Sequence, residues 1–175
     1  ERGWNKLSTF EPDLYGLKGN ALLLDLDVVI IDNIDCFFQE PGEFLIIRDW
    51  KRPWRMVGNS SVYRFKLGAF PEILPYFREN FDDIRKQFRH EQAYLSWFLN
   101  KDGKMSYWND SWCKSYKYHC LQKIPLAYFK PPVKPKDAKI IIFHGEINPP
   151  DAINGGGGKW YRYVLPSDWI KEAWQ

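Results

Sequence analysis

The sequence is poor in cysteine and has no long uninterrupted apolar run. Its three cysteines, Cys36, Cys113 and Cys120, form an odd set without a CxxC pair, which favours reduced thiols in a cytoplasmic protein over a disulfide framework. Asp25 and Asp27 interrupt the longest apolar run, so we expect no transmembrane segment. We also expect no secretory signal, and we find no internal repeat.

Clustered positive charge is also absent. The formal charge is only +3, and Lys and Arg are scattered along the chain. This charge distribution shows no nucleic-acid-binding surface, but it would suit binding of an anionic small molecule. A length of 175 residues favours one domain over 1–175. Its core would span about 1–150, followed by a Gly-rich flexible loop at 155–158 and a C-terminal helix. The sequence leaves open whether the protein forms an oligomer.

Aromatic residues are abundant, at 18% with nine Trp. Rings of this kind either pack in a core or stack on sugars. In the polar loop 49–55, Trp50 and Trp54 stand among three cationic side chains. We interpret this loop as a substrate-binding element that contacts the acceptor.

Strands alternate with helices in the predicted order of elements, which favours an α/β domain with a mixed sheet. Strands are predicted at 21–24, 43–48, 60–66 and 140–143, and the short segments 105–108 and 112–116 could pair with each other. Helices are predicted at 1–10, 34–38, 71–79, 82–88, 90–100 and 168–174. Ser167 is expected to cap the last helix. The four prolines of 125–137 predict an extended loop.

Polar residues follow two of the apolar strands. Asp25 and Asp27 leave the first strand at alternate positions, and His144 follows the last. Two carboxylates at a buried strand's end are costly unless a cation or hydrogen bonds compensate them. Carboxylates suit Mg²⁺ and Mn²⁺, and an imidazole favours Mn²⁺. These residues therefore predict a site for Mn²⁺ (or Mg²⁺) that bridges a diphosphate.

Four motifs follow one another in a recognisable order. They are Trp4-Asn5-Lys6-Leu7 with Asp25-Leu26-Asp27, then Gly58-Asn59-Ser60-Ser61-Val62, then Glu91-Gln92, then Phe143-His144-Gly145. In this order they resemble the family 8 (glycogenin-like) glycosyltransferases. The resemblance covers about residues 4–150 and implies a GT-A fold.

The resemblance also implies an activity and a set of roles. The activity is transfer of a sugar from a nucleotide-sugar, commonly a UDP-sugar, to a hydroxyl of a carbohydrate acceptor in polysaccharide biosynthesis, with retention of configuration. Asp25, Asp27 and His144 would hold Mn²⁺. Catalytic roles near the transferred sugar fall to Asn59, Glu91 and Gln92, and substrate contacts to Lys6, Asn59, Ser60, Gly145 and Asn148.

The chain departs from the family pattern in four places. His144 and Gly145 are adjacent, whereas the family separates them by two residues; Asn148 stands where the family has a phosphate-binding Lys; Pro150 stands where it has a Trp; and Ser61 replaces a Gly. The nucleotide-binding region that normally precedes the Lys-Leu helix is not in this sequence. We therefore expect an N-terminally truncated, distant version of the fold.

Two other functions are compatible with parts of the sequence. A haloacid-dehalogenase-type phosphatase would use Asp25 as nucleophile and Asp27 as acid/base, but such enzymes have a later strand that ends in paired acids. Asp82-Asp83 instead has a helical context. A non-catalytic carbohydrate-binding domain would explain the nine Trp but not the metal-type spacing.

Overall fold

The computed structural model describes residues 3–156 and 163–174. Its strands are β1 (Asn20–Leu24), β2 (Val28–Ile30), β3 (Phe44–Arg48), β4 (Gly58–Lys66), β5 (Met105–Tyr107), β6 (Cys113–Ser115) and β7 (Ile140–Ile142). Its α-helices are α1 (Cys36–Gln39), α2 (Ile73–Glu79), α3 (Phe81–Gln87), α4 (Glu91–Asn100), α5 (Pro149–Asn154) and α6 (Asp168–Ala173). Helical turns of other types occupy Trp4–Phe10, Tyr116–Cys120 and Leu126–Tyr128. The α/β class predicted from the sequence is confirmed.

The strands form two mixed sheets. In the first, the order is β1-β4-β3-β5, with β3 antiparallel to β4 and parallel to β5. In the second, the order is β2-β7-β6, with β2 antiparallel to β7 and β6 parallel to β7. The sequence had predicted a single mixed sheet.

The suggested pairing of the segments 105–108 and 112–116 is wrong. β5 pairs with β3, with Phe44 opposite Met105, whereas β6 pairs with β7, with Cys113 opposite Ile140. β3 and β7 are apolar and almost wholly buried, and their backbone groups need a neighbouring strand on each side. A long-range partner therefore takes precedence over the local hairpin.

The chain folds into two compact units. Unit 1 comprises Glu1–Leu23 and Phe37–Trp108, and unit 2 comprises Leu24–Cys36 and Asn109–Gln175. A compact unit need not be an independently folding domain, so the prediction of one domain over 1–175 stays a prediction. Residues 157–158 of the expected flexible Gly-rich loop lie outside the described residues.

Aromatic rings build the core of unit 1. Trp4 stacks on Phe77 with ring centroids 4.9 Å apart, and Phe10 stacks on Phe65 at 4.6 Å. Burial of large rings stabilises a fold through apolar area and through ring contacts. Much of the high aromatic content therefore serves packing, which was one of its two interpretations. The buried aromatic residues of this cluster are Trp4, Phe10, Phe44, Tyr63, Phe65, Phe70, Phe77 and Tyr94.

Unit 2 has a smaller core around the second sheet. The central strand β7 is fully buried, and Tyr116 stacks on Phe143 with centroids 4.4 Å apart. Ser167 stands at the N-cap position of α6, but its side chain makes no cap hydrogen bond. Its hydroxyl instead pairs with that of Tyr116 at 2.9 Å, because a buried phenol needs a partner. Ser167 therefore occupies the predicted N-cap position, but it does not form the side-chain cap hydrogen bond that we expected.

The proline-rich segment 125–137 differs from a purely extended loop. It contains one short 3₁₀ helix at Leu126–Tyr128. Within the described ranges, no helix has the length and apolar character that crossing a membrane requires.

Candidate functional site

The backbone of unit 2 brings the two strand ends of the predicted metal site together. β2 starts at Val28, which lies opposite Ile142 at the end of β7. One residue further, the Phe143 N–H donates to the Asp27 carbonyl at 2.8 Å. Antiparallel pairing therefore places the Asp25-Leu26-Asp27 tripeptide beside the segment that carries His144. Asp25 and Asp27 are half-buried, whereas Leu26 is 98% exposed.

His144 is oriented by contacts that the sequence did not reveal. Its Nε2 lies 2.7 Å from the hydroxyl of Ser115, which is fully buried on β6. Its ring also packs against Tyr118, with ring centroids 5.1 Å apart. A supporting hydrogen bond of this kind fixes the orientation of a histidine that ligates a metal. Ser115 belongs to no motif, and only the pairing of β6 with β7 places it here.

His119 in turn supports Ser115. The Ser115 N–H donates to His119 Nδ1 at 3.0 Å. Burial, followed by the charge of Lys114, lowers the pKa of His119 below its usual value. The neutral ring can accept this hydrogen bond, whereas a protonated ring cannot. Thus two partly buried polar contacts support the position of His144.

The donor set has the right chemistry for Mn²⁺ or Mg²⁺, since it combines two carboxylates with an oriented imidazole. Across residues 3–156 and 163–174, however, no three or more His, Cys, Asp or Glu side chains are grouped closely enough to hold a metal ion. The structure thus shows neighbouring segments, and the convergence of Asp25, Asp27 and His144 on one ion stays a prediction.

Gly145 and Asn148 follow His144 with local structural roles. Gly145 has φ of 99°, a conformation that favours glycine. Asn148 forms a capping box with Asp151 at the start of α5, and its N–H donates to the Asp151 carboxylate at 2.9 Å. This reciprocal pair satisfies backbone groups at the helix end. The predicted substrate contacts of Gly145 and Asn148 stay predictions.

Unit 1 contains a partly buried polar network, here called the Lys6 cluster and defined by Lys6, Ser60, Glu91 and Gln92. Lys6 Nζ donates to the Ser60 carbonyl at 3.2 Å and lies 3.8 Å from Glu91 Oε1. The Ser60 hydroxyl donates to the same carboxylate oxygen at 2.6 Å. The Ser60 N–H donates to Gln92 Oε1 at 3.4 Å. Three separate motifs of the family resemblance thus meet in one network.

The elements that carry the Lys6 cluster explain its assembly. Lys6 comes from the 3₁₀ helix, Ser60 from β4, and Glu91 and Gln92 from the first turn of α4. Ser60 and Glu91 are only 3% and 5% exposed. A carboxylate so deeply buried needs a cation and hydrogen bonds to compensate its lost hydration. The N-terminus of α4 adds favourable partial positive charge.

Gly3 also belongs to this region, although no sequence motif includes it. It has φ of 84°, and a Cβ added there would lie 2.6 Å from Glu91 Oε2. Only a residue without a side chain leaves room for the carboxylate. Asn59, next to Ser60, is half-buried and accepts a hydrogen bond from the Ser61 N–H at 3.0 Å.

The loop 49–55 lies in unit 1 as well. Asp49 Oδ1 accepts from the Lys51 N–H at 2.8 Å, which closes a local turn. Trp50 is half-buried, whereas Trp54 is 76% exposed. An exposed indole of this size is available to stack on a sugar ring. The acceptor role of Trp50 and Trp54 stays a prediction.

The predicted residues therefore fall into two groups, one in each unit. Comparison with protein-family models found no match, and no curated protein matches the chain. The family 8 resemblance rests on the motifs and their order alone.

Proposed function

We propose that this chain is the metal- and acceptor-binding part of a glycosyltransferase that uses a nucleotide-sugar donor. The Lys6 cluster is the observation that carries the proposal. A lysine, a serine and a glutamate from three elements meet in a partly buried network, with a glutamine amide beside them. Polar groups of these kinds bind the hydroxyls of a sugar.

The proposed metal site lies in unit 2. Asp25, Asp27 and His144 would hold Mn²⁺ (or Mg²⁺), with Ser115 orienting the imidazole. When bound, the cation would offset the negative charge that develops on the diphosphate. His144 would bind through Nδ1 if it keeps its Nε2 contact with Ser115.

The proposed sugar-binding groups lie in unit 1. Glu91 accepts hydrogen bonds from sugar hydroxyls in this proposal, and the Gln92 and Asn59 amides can both donate and accept. Gln92 is a poor nucleophile, so a covalent glycosyl-enzyme is not expected. Transfer would then proceed with retention by a front-face path, in which the leaving phosphate helps to deprotonate the acceptor hydroxyl. Trp54 would contact the acceptor.

The phosphatase alternative gains no support from the fold. Asp82 and Asp83 lie in the first turn of α3 rather than at the end of a strand. Acids at that position stabilise a helix N-terminus. A carbohydrate-binding domain without catalysis is compatible with exposed Trp54, and the following experiment distinguishes it.

Calorimetric titration of the chain with UDP tests the donor site. We expect UDP binding in MnCl₂, reversal by excess chelator, and binding weaker by on the order of 100-fold in Asp27→Ala. Asp102→Ala is the matched control, because this carboxylate is largely exposed in a turn, and it should bind like the parent.

Two results would contradict the proposal. If the parent binds no UDP in MnCl₂, the donor site is absent, and a phosphatase assay with Asp25→Asn should follow. If glycan binding persists in chelator and in Asp27→Ala while UDP has no effect, the chain is a carbohydrate-binding domain.

A further inference from the structure

A segment of unit 2 that none of the predicted roles uses is rich in positive charge. Residues 111–136 contain six lysines and no Asp or Glu. Four of these lysines lie in 123–136, here called the basic-apolar segment, and all four are exposed: Lys123, Lys130, Lys134 and Lys136. The charge is thus one-sided along this stretch of the sequence. In the fold, Lys134 donates to the Ile31 carbonyl at 3.3 Å, next to Asp32.

Large apolar side chains of the same segment are also exposed. Phe129 is 79% and Val133 is 53% exposed, and Ile124, Leu126 and Tyr128 are each exposed by about two-fifths. Single exposed apolar residues are ordinary, but a contiguous group marks a binding surface. Here five exposed apolar residues and four lysines lie within only 14 positions of the sequence.

The segment is held in place, so its exposure does not result from a loose loop. Ala127 is 4% exposed and anchors the 3₁₀ turn in the core. The Trp169 indole N–H donates to the Pro132 carbonyl at 3.1 Å, and the Val133 N–H donates to the Cys120 carbonyl at 2.9 Å. Tyr128 stacks on Tyr163 at 4.9 Å between centroids. Four prolines further restrict the backbone.

We infer that residues 123–136 form a peripheral membrane-binding surface for a bilayer that contains anionic phospholipid. Lysines beside an apolar surface are attracted to anionic headgroups, while the apolar side chains enter the boundary with the acyl chains. Tyrosine suits this interface because its ring is apolar and its hydroxyl is polar. The inference does not depend on the proposed transferase activity.

The chemistry of the segment favours lipid over nucleic acid. Three of the five exposed apolar side chains, those of Ile124, Leu126 and Val133, have no aromatic face on which a base could stack, so binding of a nucleic acid would not account for them. All four cations are lysines, which act as point charges, rather than arginines with the planar fork that suits bidentate recognition. A headgroup layer requires only charge and a nearby apolar phase.

Flotation of the whole chain with unilamellar vesicles tests this inference. We expect binding to mixed phosphatidylcholine–phosphatidylglycerol vesicles, much weaker binding to phosphatidylcholine alone, and weakening by salt. Lys130→Gln should weaken binding about five-fold. Phe129→Ser should weaken it on the order of ten-fold.

Matched controls come from exposed residues of unit 1. Leu17→Ser removes an apolar side chain that is 61% exposed, and Lys86→Gln removes a lysine that is 77% exposed. Both should float like the parent, and all variants should keep the parent's thermal melt. Equal flotation with both vesicle types would overturn the inference. So would parent-like flotation of Lys130→Gln and Phe129→Ser, or retention by RNA without any flotation.

Discussion

The two groups of candidate residues differ in how deeply their carboxylates are buried. In unit 1, Glu91 is 5% exposed and is already paired with Lys6 and Ser60. In unit 2, Asp25 and Asp27 lie half-buried at strand ends. The first group must be assembled during folding, because an uncompensated buried carboxylate would destabilise the protein. The second keeps part of its hydration, so its carboxylates need not converge for unit 2 to fold.

Because of this difference, we expect substitutions in the two groups to affect different properties of the protein. Changes in the Lys6 cluster should affect the free energy of unfolding first. Changes around His144 should affect metal affinity first. Three predictions test that separation.

The largest effect is expected in the Lys6 cluster. Glu91→Ala should reduce the free energy of unfolding by about 3 kcal/mol, because it leaves the Lys6 ammonium without its buried counter-charge. Urea denaturation followed by tryptophan fluorescence measures this change. Glu79→Ala, at the exposed end of α2, is the control and should change stability by less than about 0.5 kcal/mol. If both variants lose the same small amount, the cluster does not stabilise unit 1.

A smaller effect is expected at Ser115. Ser115→Ala should weaken Mn²⁺-dependent UDP binding by about 10- to 100-fold, because His144 loses the contact that orients its ring. Calorimetry with MnCl₂ measures the shift, and a thermal melt shows whether the fold is kept. Ser111→Ala is the control, since its hydroxyl bonds only two residues away to Asn109. Unchanged affinity in a folded Ser115→Ala would exclude His144 as a ligand positioned by Ser115.

The smallest effect is expected from His119. Its folded-state pKa is lowered from the usual 6.5, mainly by burial. As the pH falls through about 6.5, the unfolded chain takes up a proton that the folded chain does not, so stability present at higher pH is lost. Because the ring is still partly exposed, the loss should be small.

Urea denaturation at about pH 7.5 and about pH 5.5 measures this loss. His119→Gln cannot titrate but can still accept the Ser115 N–H, so its stability should depend less on pH. An identical pH dependence in the parent and in His119→Gln would show that His119 is not the group responsible.

Local patterns were sufficient to locate most elements. The apolar run Phe44–Arg48, the alternating Gly58–Lys66 and the helix Glu91–Asn100 all lie within two residues of their predicted bounds. Each has a strong local signal of apolar run, alternation or helical period. The motif residues were likewise readable one by one, because each stands in a recognisable sequence context.

Local sequence patterns did not reveal which of these residues contact one another in the fold. Lys6 and Ser60 are 54 positions apart, and Ser115 and His144 are 29 apart. No periodicity or propensity encodes contacts over such distances. Gly3 and Ser115 were missed for the same reason, as was the contact between Ser115 and His119.

The α/β class, the positions of most elements and the polar residues worth testing could therefore be predicted from local patterns. The complete fold was needed to show that β5 and β6 belong to different sheets, that Glu91 is buried beside Lys6, and that His144 contacts Ser115. The physical reason is that backbone propensity acts over a few residues, whereas burial of charge and strand pairing are satisfied by whatever partner the whole fold brings near.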